Sequence, residues 1–210
     1  MQRTPRGEGS GRWSAVLVAS SAGGVQGLKT LLGGLEGSLP VPVLVAQHLN
    51  RSRETMLVAI LSRPSALRVK LAEDGEKPQA GTVYLAPPDQ HLCVRDDGTL
   101  FLTREPRVNF ARPAADPLFE SAAATFDGGL IACVLTGADS DGARGVTAVK
   151  ACGGTVLVQD PESAEFKGMP KAAIRSGQVD HVVHLPEMAG VVTRLLHGAP
   201  DGGEAAGPSR

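Results

Sequence analysis

Five apolar residues, Ala15 to Ala19, run directly into Ser20-Ser21-Ala22-Gly23-Gly24, and Val25, Leu28, Leu31 and Leu32 then recur at helical spacing. This stretch constrains the fold more than any other. An uninterrupted apolar run bounded by polar residues and glycine reads as a strand buried on both faces. The glycines permit a sharp turn and close approach of a neighbouring group. The helix that follows aims its free N–H groups and the positive end of its dipole back at the turn. A strand, a tight turn carrying hydroxyls and a helix can present a serine nucleophile or hold a phosphate.

The rest of the chain alternates in the same way. Strands are expected at 42–47, 67–71, 82–86, 130–136, 155–159 and 180–185. Helices are expected at 54–61, from Asp116 as cap with Pro117 at the first helical position, at 141–151, at 169–175, and from Pro186 to Leu196. Residues 91–95 and 99–103 flank Asp96-Asp97-Gly98, a hairpin signal. The pattern implies an α/β fold, a three-layer αβα sandwich around a mostly parallel, doubly wound, Rossmann-like sheet with one antiparallel hairpin. One domain fills residues 13–197. Residues 1–12 and 198–210, rich in Gly, Pro, Ser and charge, read as disordered tails.

In such sheets the site forms at the carboxyl ends of the strands. Three strand ends carry reactive groups: Ser20-Ser21, Gln47-His48, and Thr136 to Gly142 with Asp139 and Asp141. A serine, a histidine and a carboxylate are the groups a serine hydrolase needs. The imidazole takes the serine proton, and the carboxylate fixes its tautomer and stabilises the imidazolium. The order Ser…His…Asp differs from the Ser…Asp…His of α/β-hydrolases, and their Gly-x-Ser-x-Gly elbow is absent. Ser20 is the rival nucleophile, and Asp141 could instead cap the helix that follows it.

Composition excludes other classes. A net charge of −1 gives no bulk basic field for nucleic acid or membrane, and 3% aromatics argues against base stacking. No apolar run is long enough to span a bilayer, and no signal core opens the chain. Cys93, Cys133 and Cys152 lack metal spacing, and His181 and His184 alternate across a strand, so no metal or cofactor is expected. A reduced, cytoplasmic setting follows.

Six segments, in order, resemble the CheB-type protein-glutamate methylesterases of bacterial chemotaxis. Ala19-Ser20-Ser21-Ala22-Gly23-Gly24 is similar to the family's Gly-Ala-Ser-Thr-Gly-Gly turn, and Gln47-His48-Leu49 to Gln-His-Met. Tyr84 to His91 resembles Tyr-Ile-Ala-Pro-x-Asp-x-His, and Arg112 to Phe119 resembles Arg-Pro-Ser-x-Asp-x-Leu-Phe. Leu135 to Gly142 resembles Leu-Thr-Gly-Met-Gly-x-Asp-Gly, and Gly168-Met169-Pro170 the family's Gly-Met-Pro. The resemblance implies a parallel αβα sandwich and a triad of Ser21, His48 and Asp141. It implies hydrolysis of glutamate 5-O-methyl esters with release of methanol, and deamidation of glutamines at the same sites. The partner it implies is a methyl-accepting chemoreceptor or a related coiled-coil signalling protein. Ala22 and Ala138 would supply or shape the oxyanion site, and His91 would shape it too. Arg112 would bind an acidic substrate segment or pair with a carboxylate.

The chain departs from the family pattern at Ala22, usually threonine, and at Ala138-Asp139, usually Met-Gly. Asp139 adds a charge beside Asp141. Only twelve residues precede the first domain residue, where the family usually has a receiver domain. The expectation is a chain active without phosphorylation, with any control exerted by a separate regulator. Two other readings stay open: a receptor-binding pseudoenzyme, and a nucleotide-binding α/β module. The second lacks both Gly-x-Gly-x-x-Gly and Walker patterns.

Overall fold

The computed structural model describes residues 13–49 and 55–198. Its elements in chain order are β1 (Ala15–Ser20), α1 (Gly24–Gly34), β2 (Val43–Gln47), α2 (Leu57–Ser62), β3 (Arg68–Leu71), β4 (Thr82–Leu85), β5 (His91–Val94), β6 (Leu100–Thr103), α3 (Ala115–Thr125), β7 (Leu130–Val134), α4 (Ala143–Ala151), β8 (Thr155–Gln159), α5 (Gly168–Arg175), β9 (His181–Val183) and α6 (Leu185–His197). The expected tails lie outside the described residues except for Gly198, which caps α6, and so does Glu54 at the expected start of α2.

Seven parallel strands form one sheet in the order β3-β4-β2-β1-β7-β8-β9, and β5 and β6 form a separate antiparallel pair. Every residue of β1 is buried, as a strand covered on both faces requires. Val16 and Val18 point into one core, with Leu28, Leu31 and Leu32 of α1, Leu61 of α2, and Met188 and Val192 of α6. Ala15, Leu17 and Ala19 point into the other, with Leu118 and Phe119 of α3, Val146 and Val149 of α4, and Met169 of α5. The hairpin packs into this second layer through Leu92, Val94 and Leu100.

The chain leaves β1 toward β2 on one side and later returns as β7 on the other. Helices α1 and α4 therefore diverge to opposite faces from adjacent strands. That reversal opens a crevice at the carboxyl edge, between the ends of β1 and β7.

Three helix starts differ from the sequence expectation by two residues or more: α2, expected from Glu54, begins at Leu57, whose N–H is accepted by Thr55 Oγ1 at 3.1 Å, and α3 and α4 are displaced as well. Helix α3 begins at Ala115 with Ala114 as cap, not at a capping Asp116, and α4 begins at Ala143 after Gly142, not at Asp141. The reason is an exchange of caps between the two helices. Asp141, just before α4, accepts the N–H groups of Ala115 and Asp116 in the first turn of α3. Asp116 in turn accepts Gly145 N–H in the first turn of α4 at 2.9 Å. Each carboxylate satisfies orphan donors of the other helix and meets its dipole end.

The exchange demands close helix packing, and Gly145 provides it. A Cβ at Gly145 would lie 2.5 Å from Phe119 Cβ, and Phe119 is fully buried. Gly145→Ala is therefore expected to lower stability by about 1–3 kcal/mol through overpacking, despite alanine's better helix propensity. Urea unfolding checks this, since a gain in stability would mean that the two helices can separate at no cost.

Candidate active site

The two serines at the end of β1 have different fates. Ser20 is fully buried and its hydroxyl donates to Gln47 Oε1 at 2.6 Å. Ser21 falls beyond the strand and its Oγ lies 2.9 Å from His48 Nδ1. Gln47, paired in register with Ser20, also donates from Nε2 to the carbonyls of Ser21 and His48, at 2.9 and 3.0 Å. One amide thus fixes the backbone that carries both groups.

The glycines of this turn answer to specific neighbours. Gly23 has φ 72°, in the left-handed region that favours glycine. A Cβ on Gly24 would lie 2.3 Å from Gln47 Oε1. Across the crevice, a Cβ on Gly137 would lie 2.0 Å from Met169 Sδ and 3.0 Å from Ser21 Cβ. The serine turn and the β7 loop meet only because these positions carry no side chain.

His48 faces Asp141 through its other nitrogen, with Nε2 2.7 Å from Asp141 Oδ2. Asp141 is fully buried. Besides His48 it accepts Ala115, Asp116 and Gly142 N–H groups, so backbone donors occupy both of its oxygens. A carboxylate on Nε2 keeps the proton there and leaves the Nδ1 lone pair for the serine hydroxyl. The relay uses the imidazole with its nitrogens exchanged relative to the usual Ser–Nε2, Asp–Nδ1 arrangement.

Asp139 completes the electrostatics. Its Oδ2 lies 3.4 Å from His48 Nδ1, and its Oδ1 accepts Asp141 N–H at 2.9 Å. Burial opposes a charge on the His48 ring, but hydrogen bonds and charges from Asp139 and Asp141 outweigh it. The net effect raises its pKa from 6.5 to about 9. Burial would raise the Asp139 pKa, yet the His48 hydrogen bond and the Asp141 N–H leave it lowered, so it is ionised at neutral pH.

The N–H groups of Ala22, Gly23 and Ala138 have no hydrogen-bond acceptor among the described residues. Ala22 follows Ser21 directly, and Ala138 follows Gly137, whose Cβ position lies 3.0 Å from Ser21 Cβ. His91 lies one step back. It is buried, accepts Ala114 N–H at Nδ1 and donates from Nε2 to Pro106 O at 3.2 Å. Burial holds its pKa below 6.5, as this neutral bracing role requires. Arg112 is committed to Asp89 at 2.8 Å and to the carbonyls of Arg104 and Glu105, so of its two readings the geometry supports the carboxylate pair.

Sequence reasoning assigned no role to Gln47, Thr136 or Gln159. Thr136 Oγ1 lies 3.0 Å from Ala22 O and accepts Phe166 N–H at 2.9 Å, which ties the serine turn to the start of α5. Gln159 accepts Thr136 N–H at 3.0 Å. Buried strand-end polar residues were the available signal. Among the described residues no cluster of His, Cys, Asp and Glu could hold a metal ion.

A hydrogen-bonded Ser–His–Asp relay at the switch point of a doubly wound sheet is the arrangement of an α/β serine hydrolase. The family model for CheB methylesterase matches residues 16–192, and the chain belongs to that family. A putative protein-glutamate methylesterase/protein-glutamine glutaminase of Leptospira interrogans is 38% identical over 183 residues, covering 87% of this chain and 95% of the relative. A protein-glutamate methylesterase/protein-glutamine glutaminase of Paramagnetospirillum magneticum is 40% identical over 184 residues, and there the match spans 48% of the relative's length. The crystal structure of the Thermotoga maritima CheB methylesterase catalytic domain superposes with a TM-score of 0.84 at 35% identity, covering 87% of this chain and 98% of that one.

A general base must be neutral to act, so a His48 pKa near 9 leaves most molecules protonated at pH 7. The acid limb of kcat/KM for ester hydrolysis is expected near pH 9. Asp139→Asn removes one of the two charges that raise it, so the limb should move to lower pH. Each unit of movement increases the neutral fraction at pH 7 about tenfold. A pH–rate profile whose limb does not move would show that the Asp139 charge is not felt at Nδ1.

Proposed function

We propose that this chain is a protein-glutamate methylesterase that acts on a methyl-accepting chemoreceptor or a related coiled-coil signalling protein in the cytoplasm. The observation that carries the reading is the unbroken hydrogen-bond relay from Ser21 through His48 to Asp141. Family membership and the names of the relatives support the substrate class. Three free cysteines suit a reducing compartment, and no described helix is long and apolar enough to cross a membrane.

In the proposed cycle Ser21 Oγ attacks the side-chain ester carbonyl while His48 Nδ1 takes the hydroxyl proton. The new bond is Oγ–C. The tetrahedral oxyanion is held by the free N–H groups of Ala22 and Ala138. Collapse breaks the C–OCH3 bond, and imidazolium returns its proton to the leaving oxygen to give methanol. Water then hydrolyses the acyl-enzyme by the same relay and leaves glutamate. Glutamine follows the same course with ammonia as leaving group. Asp141 holds the tautomer and stabilises the imidazolium without taking the proton.

Against a receptor-binding pseudoenzyme stands the order of the contacts, since a docking surface needs no buried carboxylate aligned on an imidazole. Against a nucleotide turn stands the Ser21 hydroxyl, which is engaged by His48 rather than left for a phosphate.

Methanol release from a methylated receptor fragment tests the reading. Ser21→Ala should lose on the order of 10⁶ in rate, while Ser20→Ala, which removes a hydroxyl already bonded to Gln47, should keep most of it. Asp141→Asn should cost roughly 10⁴ by favouring the wrong tautomer. Near-normal turnover in Ser21→Ala would remove the serine from the mechanism.

A further inference from the structure

A cleft of about 470 Å³ lies between a turn that carries Phe110 and helix α5, and it borders the triad through Asp139, whose Oδ2 is 3.4 Å from His48 Nδ1. Ala138 and Asp139 line its inner end, and Lys167, Lys171 and Arg175 line one wall. Lys167, Lys171 and Arg175 stand four residues apart, so they form one row along the helix, about 6 Å between neighbours. The segment Lys167–Arg175 contains no acidic residue, although the whole chain has a net charge of −1. Lys167 is paired with Glu162 at 2.9 Å, whereas Lys171 and Arg175 are exposed and make no ion pair among the described residues.

The opposite wall is built to hold an aromatic ring in water. Phe110 is 96% exposed. Asn109 and Phe110 both have positive φ, at 48° and 63°, which for a bulky side chain is strained backbone. The turn is closed by reciprocal hydrogen bonds between Val108 and Ala111, and Arg112 clamps its base to Arg104, Glu105 and Asp89. A strained turn that is braced at its base and offers a fully exposed phenyl beside a reactive site is a contact element.

Resting on the methylesterase reading, we propose that the cleft between the Phe110 turn and the basic row of α5 seats an acidic helix of the substrate protein. A polypeptide esterified on glutamates carries carboxylates at every such site that is not esterified. Carboxylates one turn apart on a helix match the one-turn spacing of Lys171 and Arg175. The polarity along the cleft orients that helix. The ester is neutral and can approach Asp139, while a free carboxylate is repelled there and attracted along α5. After hydrolysis the new carboxylate faces Asp139, which favours its departure from the triad.

The test uses the full chain and three helical receptor fragments that carry one glutamate methyl ester, flanked at one-turn spacing by glutamate, glutamine or lysine. A small neutral ester serves as the reference substrate. Wild type should favour the glutamate-flanked over the glutamine-flanked fragment about tenfold in kcat/KM, mainly through KM, with the preference shrinking as salt rises. Lys171→Glu/Arg175→Glu should abolish that preference and turn it toward the lysine-flanked fragment. Phe110→Ser should lower kcat/KM for all fragments relative to the small ester. Equal rates on all flanks in wild type, or a charge reversal that lowers all fragments and the small ester alike, would overturn the seat. Wild type that cleaves the small ester but releases no methanol from any fragment would overturn the substrate reading and the seat with it.

Discussion

The buried carboxylate of Asp141 is the interaction on which the site depends. It accepts from His48 Nε2, from Ala115 and Asp116 at the start of α3, and from Gly142 at the start of α4. An ionised group in a dry interior is costly unless such donors surround it. Here the donors are the orphan N–H groups of a helix start, which need an acceptor in any case. Folding and function therefore share one group. The carboxylate that meets the His48 ring is also the cap that lets α3 begin beside the sheet. His91 extends the arrangement outward by accepting Ala114 N–H, one residue before the helix that Asp141 caps.

The sheet supplies the geometry that this carboxylate completes. Ser21, His48 and the Thr136–Asp141 loop follow β1, β2 and β7, which are adjacent and parallel, so their ends fall at one level. Closing that edge to hydrogen-bond distances requires backbone to approach backbone. Gly24 and Gly137 make room, and Gln47 and Thr136 add side-chain hydrogen bonds to the main-chain bonds from Ser21 N–H to Thr136 O and from His48 N–H to Ser20 O. Strand order brings the groups near one another, and these polar ties set the final distances.

Much of this was legible in the chain. The apolar runs of β1, β2 and β7 stood out because a strand buried on both faces is apolar through its length, with a polar residue only at the last position of β1 and β2. Strand ends nominated Ser20-Ser21, His48 and the loop with Asp139 and Asp141, and the family resemblance singled out Ser21, His48 and Asp141 among them. What escaped was long-range. Asp116 looked like the cap of its own helix because capping is read locally, whereas its true partner, Gly145, lies 29 residues away. The same locality hid the exchange of caps, and it left Asp141 looking like a candidate cap of α4. Gln47 and Gln159 are ordinary strand-end glutamines in the sequence, and only strand neighbours reveal that each holds a catalytic-edge loop. Arg112 stayed ambiguous for a like reason, since its acceptors include two carbonyls that no sequence pattern announces.

Two carboxylates on one imidazole do opposite work because their surroundings differ. Asp141 is saturated by backbone donors, and it orients His48 whichever protonation state the ring adopts. Asp139 is a third exposed, and it faces the nitrogen that exchanges the proton. It stabilises the imidazolium that forms as the serine attacks, but it stabilises the resting imidazolium as well. A stronger base gains less in proton-transfer rate than it loses in neutral fraction below its pKa, because Brønsted sensitivity is less than full. At neutral pH the balance at His48 alone therefore favours the side without Asp139. The compensation lies in the substrate, which arrives neutral and leaves charged. In the proposed cycle a fixed carboxylate at Asp139 discriminates between ester and product where the two differ most, so the residue that slows the base would also clear the site.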